Sequence, residues 1–278
     1  MCKVMKVSEC GYYAWQKRAP SIRTRKNEYL KIEIKRVHED SKKRYGSPRI
    51  TKDLNQDGIK VSQPTVAKLM KEQGIKSVIK KKYKVTTDSY HSYPVAENVL
   101  ARNFYVEEIN RAWVSDLTYI FTKSGWVYLT TVIDLYDRKV IGWALSETMR
   151  TCDTTIPAFR MAIRNRNIRN DHHFIFHSDR GIQYACDEFV AEMDKYKNLT
   201  RSMSRKGNCW DNAVAESFFK TLKVELIYQN RYEIKADAKL SIFEYIETWY
   251  NRKRRHKHLS NLTIDEFHRL INNSKNAA

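Results

Sequence analysis

Residues 111–147 read RAWVSDLTYIFTKSGWVYLTTVIDLYDRKVIGWALSE. Three extended segments follow one another here: RAWVSDLTYIFT (111–122), GWVYLTTVIDL (125–135) and KVIGWALSE (139–147). Each is rich in β-branched and aromatic residues, and Gly125 and Asp137-Arg138 supply the turns between them. Outward from this block the pattern changes. Residues 153–167 place Ile156, Phe159, Ala162 and Ile163 at helical spacing. HHFIFHSD (172–179) is a fourth strand ending in a turn at Arg180-Gly181, residues 186–196 a helix, and LTRSMS (199–204) a fifth strand. A helix over 211–226 then carries Ala213, Phe218, Phe219 and Leu222. Three hairpin-connected strands followed by strand–helix alternation predict an α/β fold, a mixed five-stranded sheet covered by helices. Two more helices, 236–250 and 263–272, flank the basic run NRKRRHKH (251–258).

Upstream of the sheet the chain reads as small and all-α. A helix over 23–44 carries Leu30, Ile34 and Val37, and Tyr45-Gly46-Ser47-Pro48 ends it. A short helix over 48–55 is followed by an Asp57-Gly58 turn. Ser62 then caps a third helix, 63–73, whose inner face is Val66, Leu69 and Met70. Three short helices with tight turns fit a helix-turn-helix module over 23–82. Its third helix presents Gln63, Thr65, Lys68 and Lys71 as readers of DNA. Residues 1–22 are a helical extension, and 83–105, polar and without periodicity, a linker.

The charge distribution supports this division. Of 278 residues, 51 are Lys or Arg and 32 Asp or Glu, a net charge of +19. Residues 1–84 hold 23 basic and 8 acidic side chains, so most of the excess lies in the first third. A basic module in front of a nearly balanced one points to a polyanion, nucleic acid before membrane, because no apolar stripe faces the lysines. No run approaches the ~18 apolar residues of a membrane helix. No signal-peptide block opens the chain. Five scattered cysteines lack paired spacing, which predicts reduced thiols in the cytoplasm.

Three carboxylates stand where packing alone would not place them. Asp116 interrupts an apolar strand, Asp179 ends another, and Glu216 lies on the apolar-looking helix 211–226. In the predicted topology the first strand and the end of the fourth are neighbours, and the helix after the fifth can pack across them. Converging carboxylates select hard divalent ions, Mg²⁺ or Mn²⁺. Two such ions ~4 Å apart clamp the attacking and leaving oxygens of a phosphoryl transfer. Asp134 and Asp137 read as turn residues, Asp211 as a helix N-cap, and Asp187 and Glu188 as helix-opening acids. His172, His173 and His177 near Cys186 and Cys209 lack zinc-site spacing.

WVSDLTYI (113–120), HSDRGIQY (177–184) and SMSRKGNCWDNAVAESFFKTLK (202–223) resemble the DDE catalytic core of insertion-sequence transposases, relatives of retroviral integrases. The nearest kind is the OrfB-type product of two-frame elements, the IS-three family. VSECGYYAWQKR (7–18) and residues 45–75 look like that family's N-terminal helix-turn-helix extension, and WYNRKRRHKHLSNLTIDEF (249–267) like its C-terminal signature. The resemblance implies an RNase H-like integrase core over about 106–230, followed by a basic helical region, 231–278. It implies Asp116, Asp179 and Glu216 as the metal-binding triad, two Mg²⁺ ions (or Mn²⁺) per site, and DNA strand cleavage and transfer at element ends. Lys223 matches the basic residue two helical turns after the glutamate. Ser178, Gly181, Gln183 and Tyr184 match the surroundings of the second aspartate, and Lys206, Asn208, Trp210 and Asn212 the block before the glutamate. Lys206, Lys223 and the run containing Arg252, Arg254 and Arg255 would hold DNA phosphates, and Trp210 would stack on a splayed base.

The family likeness further implies a homo-oligomer on DNA, acting with an upstream-frame product or fused to it, at the bacterial nucleoid. Two departures stand out. The 36 residues between Asp179 and Glu216 are one more than the family's usual number, with the extra residue expected in DKYKNLTRS (194–202). Asn261 and Ile264 stand where the signature carries Gly and Pro. Two rival readings remain at the level of sequence. One is a catalytically decayed protein that only binds element ends; the other is an RNase H-type nuclease that cuts without joining.

Overall fold

Strand β1 (Ala112–Thr122) is the centre of the sheet. It pairs antiparallel with β2 (Gly125–Asp134) along its whole length, Trp113 opposite Asp134 and Thr122 opposite Gly125. Strand β3 (Val140–Ser146) continues the meander beyond β2. On its other edge β1 pairs in parallel with β4 (Phe174–Ser178), but only from Ala112 to Ser115. Strand β5 (Leu199–Met203) closes that side, giving the order β3-β2-β1-β4-β5 in the computed structural model. This is the mixed five-stranded sheet the sequence predicts. Residues 2–78, 93–169 and 173–276 are described by the structure. His172 and residues 83–92 of the expected linker lie outside them.

Both faces of the sheet are covered. Helices α5 (Thr155–Arg166), α6 (Ile182–Ala185) and α7 (Asp187–Met193) lie on one side. There Trp113, Phe159, Phe176 and Phe189 build a buried aromatic core. Gly142 of β3 is obligatory, because a Cβ there would overlap the Ala158 carbonyl and the Ala162 nitrogen of α5. On the opposite face α8 (Ala213–Glu225) and α9 (Lys235–Glu244) bury Phe218, Leu222 and Ile242 against Val114, Leu129 and Ile133. The predicted helix 236–250 is α-helical only to Glu244. From Tyr245 to Lys253 it widens into a π-helix, so the Arg254 N–H reaches back five residues to the Trp249 carbonyl. Asn251, on this segment, both accepts from and donates to the Val140 backbone, stitching it to β3.

Helix α10 (Ile264–Asn276) ends the described chain. A capping box starts it: the Glu266 N–H donates to Thr263 Oγ1 (3.2 Å) and the Thr263 N–H to Glu266 Oε2 (3.0 Å). The two departures in the signature acquire a reason here. Asn261 has φ +58°, a left-handed conformation that Gly adopts freely and Asn best tolerates among the rest. Ile264 is the first residue of α10, the position proline favours, and its side chain is buried instead.

The chain divides into two compact units, Met1–Val78 and Ile79–Ala278. The smaller contains α1 (Glu9–Gln16), α2 (Ile22–Asp40), α3 (Ser47–Gln56) and α4 (Gln63–Glu72). Leu30, Ile34, Val37, Val66 and Leu69, read from helical spacing, form its core together with Ile50 and Leu54 of α3. Gln63 and Lys68 are exposed on α4; Thr65 is half-buried and its hydroxyl meets that of Ser62 at 2.9 Å.

Candidate active site

Strand β4 stops pairing at Ser178, opposite Ser115, and the next residue on each chain segment is an aspartate: Asp116 and Asp179. The parallel register therefore sets the two carboxylates side by side at the sheet's centre. Each is held by a local backbone donor, Leu117 N–H to Asp116 Oδ1 (2.8 Å) and Gly181 N–H to Asp179 Oδ1 (2.9 Å). Glu216 arrives on the first turn of α8, which packs on the same face of β1. The turn before α8 is fastened to the site, since Asn212 Nδ2 donates to the Ser115 carbonyl at 3.0 Å. The 36 residues between Asp179 and Glu216 leave β4 and β5 paired in unbroken register; residues 194–198 form the turn that leads into β5.

The electrostatics show that the three acids share one environment. Burial, and then the charges of Asp179 and Glu216, push the Asp116 carboxyl well above the ordinary carboxylate range. Burial and then Asp179 raise Glu216. Lys223, two turns along α8, is half-buried; desolvation lowers its ammonium while the charge of Asp116 holds it up, so it faces the same centre. Tyr184 is fully enclosed, its hydroxyl 2.8 Å from Ser115 Oγ, and burial and then the two aspartates raise it. Among the described residues no three His, Cys, Asp or Glu side chains are gathered as they stand into a group that could hold a metal ion. Two carboxyls raised by a third, with one amine beside them, are nevertheless oxygen donors of the kind a hard divalent cation takes.

Several residues chosen from sequence sit elsewhere. Arg254 is buried, donating through Nε and Nη2 to Glu225 at 2.9–3.2 Å. Arg255 is buried against Glu266 Oε2 (2.9 Å) and the Asn261 carbonyl (3.1 Å). Neither offers its guanidinium to DNA; within the basic run Arg252 is exposed. Asn212 is buried as described and is likewise not on the surface. Lys206 and Trp210 are exposed, Trp210 to 67%, and Asn208 and Gln183 are half-buried. Asp211 is not the N-cap of α8, which begins one residue later behind a 3₁₀ turn; it is fully buried and gathers Arg102, Arg205 and Asn98. Asp134 and Asp137 do cap their turn, accepting from Tyr136 and Lys139 N–H. They are also fully buried, paired with Arg166 (3.2 and 2.7 Å), and Asp137 with His268 (3.0 Å). Arg102, in the expected linker, and Arg166 went unnoticed in sequence because neither lies in a motif.

A central strand and its parallel neighbour presenting aspartates, with a helix-borne glutamate above them, define an integrase-core protein. Family models agree: residues 107–209 and 197–263 each match an integrase core domain, and residues 24–83 an HTH-like domain. The chain is 41% identical over 267 residues to the "Insertion element IS600 uncharacterized 31 kDa protein" of Shigella sonnei, covering 96% of this chain and 97% of that one. It is 38% identical over 269 residues to "Transposase InsF for insertion sequence IS3A" of Escherichia coli (strain K12), covering 96% and 92%. Among solved structures, the HTLV-2 integrase catalytic core domain in complex with magnesium aligns with 18% identity and a TM-score of 0.43, over 58% of this chain and 97% of that one. The chain belongs to the IS3-family insertion-sequence transposases. Membership makes it a polynucleotidyl transferase of DNA transposition. Among the described residues no helix is long and apolar enough to cross a membrane.

Proposed function

We propose that this transposase cuts and joins DNA at the ends of its insertion element with Asp116, Asp179 and Glu216 as the ligands of two Mg²⁺ or Mn²⁺ ions. The observation that carries the reading is the electrostatic coupling of these carboxylates: the charges of Asp179 and Glu216 raise Asp116, and that of Asp179 raises Glu216. When bound, the ions supply Lewis-acid activation of the attacking oxygen and stabilisation of the leaving 3′-oxygen. The remaining work belongs to side chains. Asp116 and Asp179 each accept one backbone N–H, from Leu117 and Gly181, which limits the rotation of their carboxylates. Lys223 neutralises the scissile phosphate. Lys206, Asn208, Trp210, Gln183 and Arg252 contact the strand and its end, and Gln63, Thr65 and Lys68 on α4 contact the adjoining duplex. The protein acts as a homo-oligomer, one site per element end, with the upstream-frame product joined or beside it, on nucleoid DNA in the bacterial cytoplasm.

The test is a strand-transfer assay with labelled element-end DNA, Mg²⁺ or Mn²⁺, and Glu216→Gln as the control. Metal-dependent cutting and joining at the 3′ end, lost in the control, is the expected result. End binding without chemistry, even with the upstream product present, would favour the decayed DNA-binding protein instead.

A further inference from the structure

Asp211 is a fully buried carboxylate with five donors. Arg205 donates through its backbone N–H (3.0 Å), Nε (2.9 Å) and Nη2 (2.8 Å), Arg102 through Nε (2.6 Å), and Asn98 through Nδ2 (2.9 Å). A second bond fixes Arg102, from Nη2 to Asn208 Oδ1 (3.1 Å). One carboxylate neutralises one guanidinium, so this cluster carries a surplus positive charge. That charge is not enclosed: the arginine side chains are 42% and 53% exposed. The backbone also adopts an uncommon shape to bring Arg102 here, with Ala101 and Arg102 both left-handed at φ +45° and +65°. The cluster is tied to the reacting centre, because the 3₁₀ turn Cys209–Asn212 that carries Asp211 ends in the Asn212 bond to the Ser115 carbonyl, next to Asp116.

We infer that Arg102 and Arg205, set side by side on Asp211, form a two-pronged phosphate clamp that grips the backbone of the DNA strand entering the Asp116–Asp179–Glu216 site. A planar guanidinium whose inner edge is held by a carboxylate keeps its outer N–H groups oriented for a phosphate oxygen. Pre-orientation by Asp211 removes the rotamer freedom that two free arginines would lose on binding. Arg102 lies between the stretches that the family models match, 24–83 and 107–209, and its contribution is visible only in three dimensions. Neutralising Asp211 needs one arginine; a second guanidinium, with both left partly exposed, is what a polyanion would engage. The inference rests on the triad being the reacting centre, but its test does not use turnover.

Binding of the full-length protein to element-end duplex, and to an unrelated duplex of equal length, is measured by fluorescence anisotropy across a salt series without divalent metal. Arg102→Gln and Arg205→Gln keep a donor toward Asp211 while removing the charge. Each is expected to lower the slope of log affinity against log salt by about one, equally on both duplexes, and Arg→Lys at either position to restore it. Melting curves establish that each variant is folded. Unchanged slopes in folded Gln variants, or Lys variants that fail to restore the slope, would overturn the clamp and leave Asp211 as a fastening of residues 93–105. If the clamp fails while Glu216→Gln still abolishes strand transfer, the triad reading stands alone. If Glu216→Gln retains strand transfer while the slopes fall, it is the triad reading that fails.

Discussion

Arg254 offers a clean contest between two readings of one residue: a DNA contact within a basic run, or the partner of a buried acid. The structure supports the second. Glu225 is buried and accepts from Arg254 Nε and Nη2, from the Tyr245 hydroxyl (2.9 Å) and from Trp249 Nε1 (3.2 Å). Replacing Glu225 with Leu strands a desolvated guanidinium, which costs about 3–5 kcal/mol. Two neutral donors are orphaned as well, so about 4–6 kcal/mol in total is a reasonable figure. At ~2–4 °C per kcal/mol for a unit of this size, the transition of the larger unit should drop by about 10 °C or more. Arg254→Met should cost about 3 kcal/mol, since it takes the guanidinium from a buried carboxylate that keeps the neutral donors of Tyr245 and Trp249. The double variant removes both charges, so the two losses should fall short of adding by about 2–3 kcal/mol. Calorimetry on the four proteins closes the cycle. The reasoning is refuted if Arg254→Met melts like the parent yet binds duplex DNA with a shallower salt dependence. That outcome would return Arg254 to the DNA surface.

Other expectations are equally direct. Gly142→Ala should destabilise by about 3 kcal/mol or more, because the new methyl meets the α5 backbone, not a flexible side-chain tip; thermal melting and soluble yield report it. Burial, and then the charge of Asp137, push the Asp134 carboxyl up to about 6 against the pull of Arg166. Its contribution is therefore present at low pH and lost as pH rises through that value. Relative to Asp134→Asn, the parent should gain about 1 kcal/mol in urea denaturation between pH 7 and pH 5, and a difference that shrinks on acidification would contradict the assignment. Trp210→Ala should leave the melting temperature within about 1 °C, because surface substitutions are near neutral. It should also weaken binding to frayed or single-stranded element ends by about 1–3 kcal/mol, and equal loss on blunt unrelated duplex would argue against base stacking.

Much of the fold was legible because the sheet writes itself in β-branched and aromatic segments broken by Gly125 and Asp137. The triad was legible for a related reason: a carboxylate inside WVSDLTYI contradicts its surroundings, and contradiction is what a sequence displays best. The basic run was misread because charge in one dimension says nothing about direction. Arg254 and Arg255 turn inward while Arg252 beside them does not, and the compensating acids, Glu225 and Glu266, lie 29 and 11 positions away. Glu225, a lone acid between Val224 and Leu226 at the apolar end of α8, was the available clue. Asp211 was misassigned by a single residue, since a 3₁₀ turn delays the start of α8 and frees the aspartate for a longer-range role. Arg102 had no local sign at all; only the tertiary approach of residues 93–105 gives it a partner.

The π-helix over Tyr245–Lys253 gives the protein an unequal response to changes of length. A π-turn holds one residue more than the α-helical path it replaces, and here the wide turn absorbs that residue. Deleting one residue inside it would let the segment relax to ordinary α-helix along the same path, whereas deleting one from α9, which has no residue to spare, would rotate the following chain by about 100°. After that second deletion the Arg254 guanidinium would leave Glu225 and Asn251 would lose the Val140 backbone. Substitutions across this stretch are tolerable wherever side chains face water. A one-codon loss from α9 is not, so the wide turn is the one stretch of this helix with a residue in reserve.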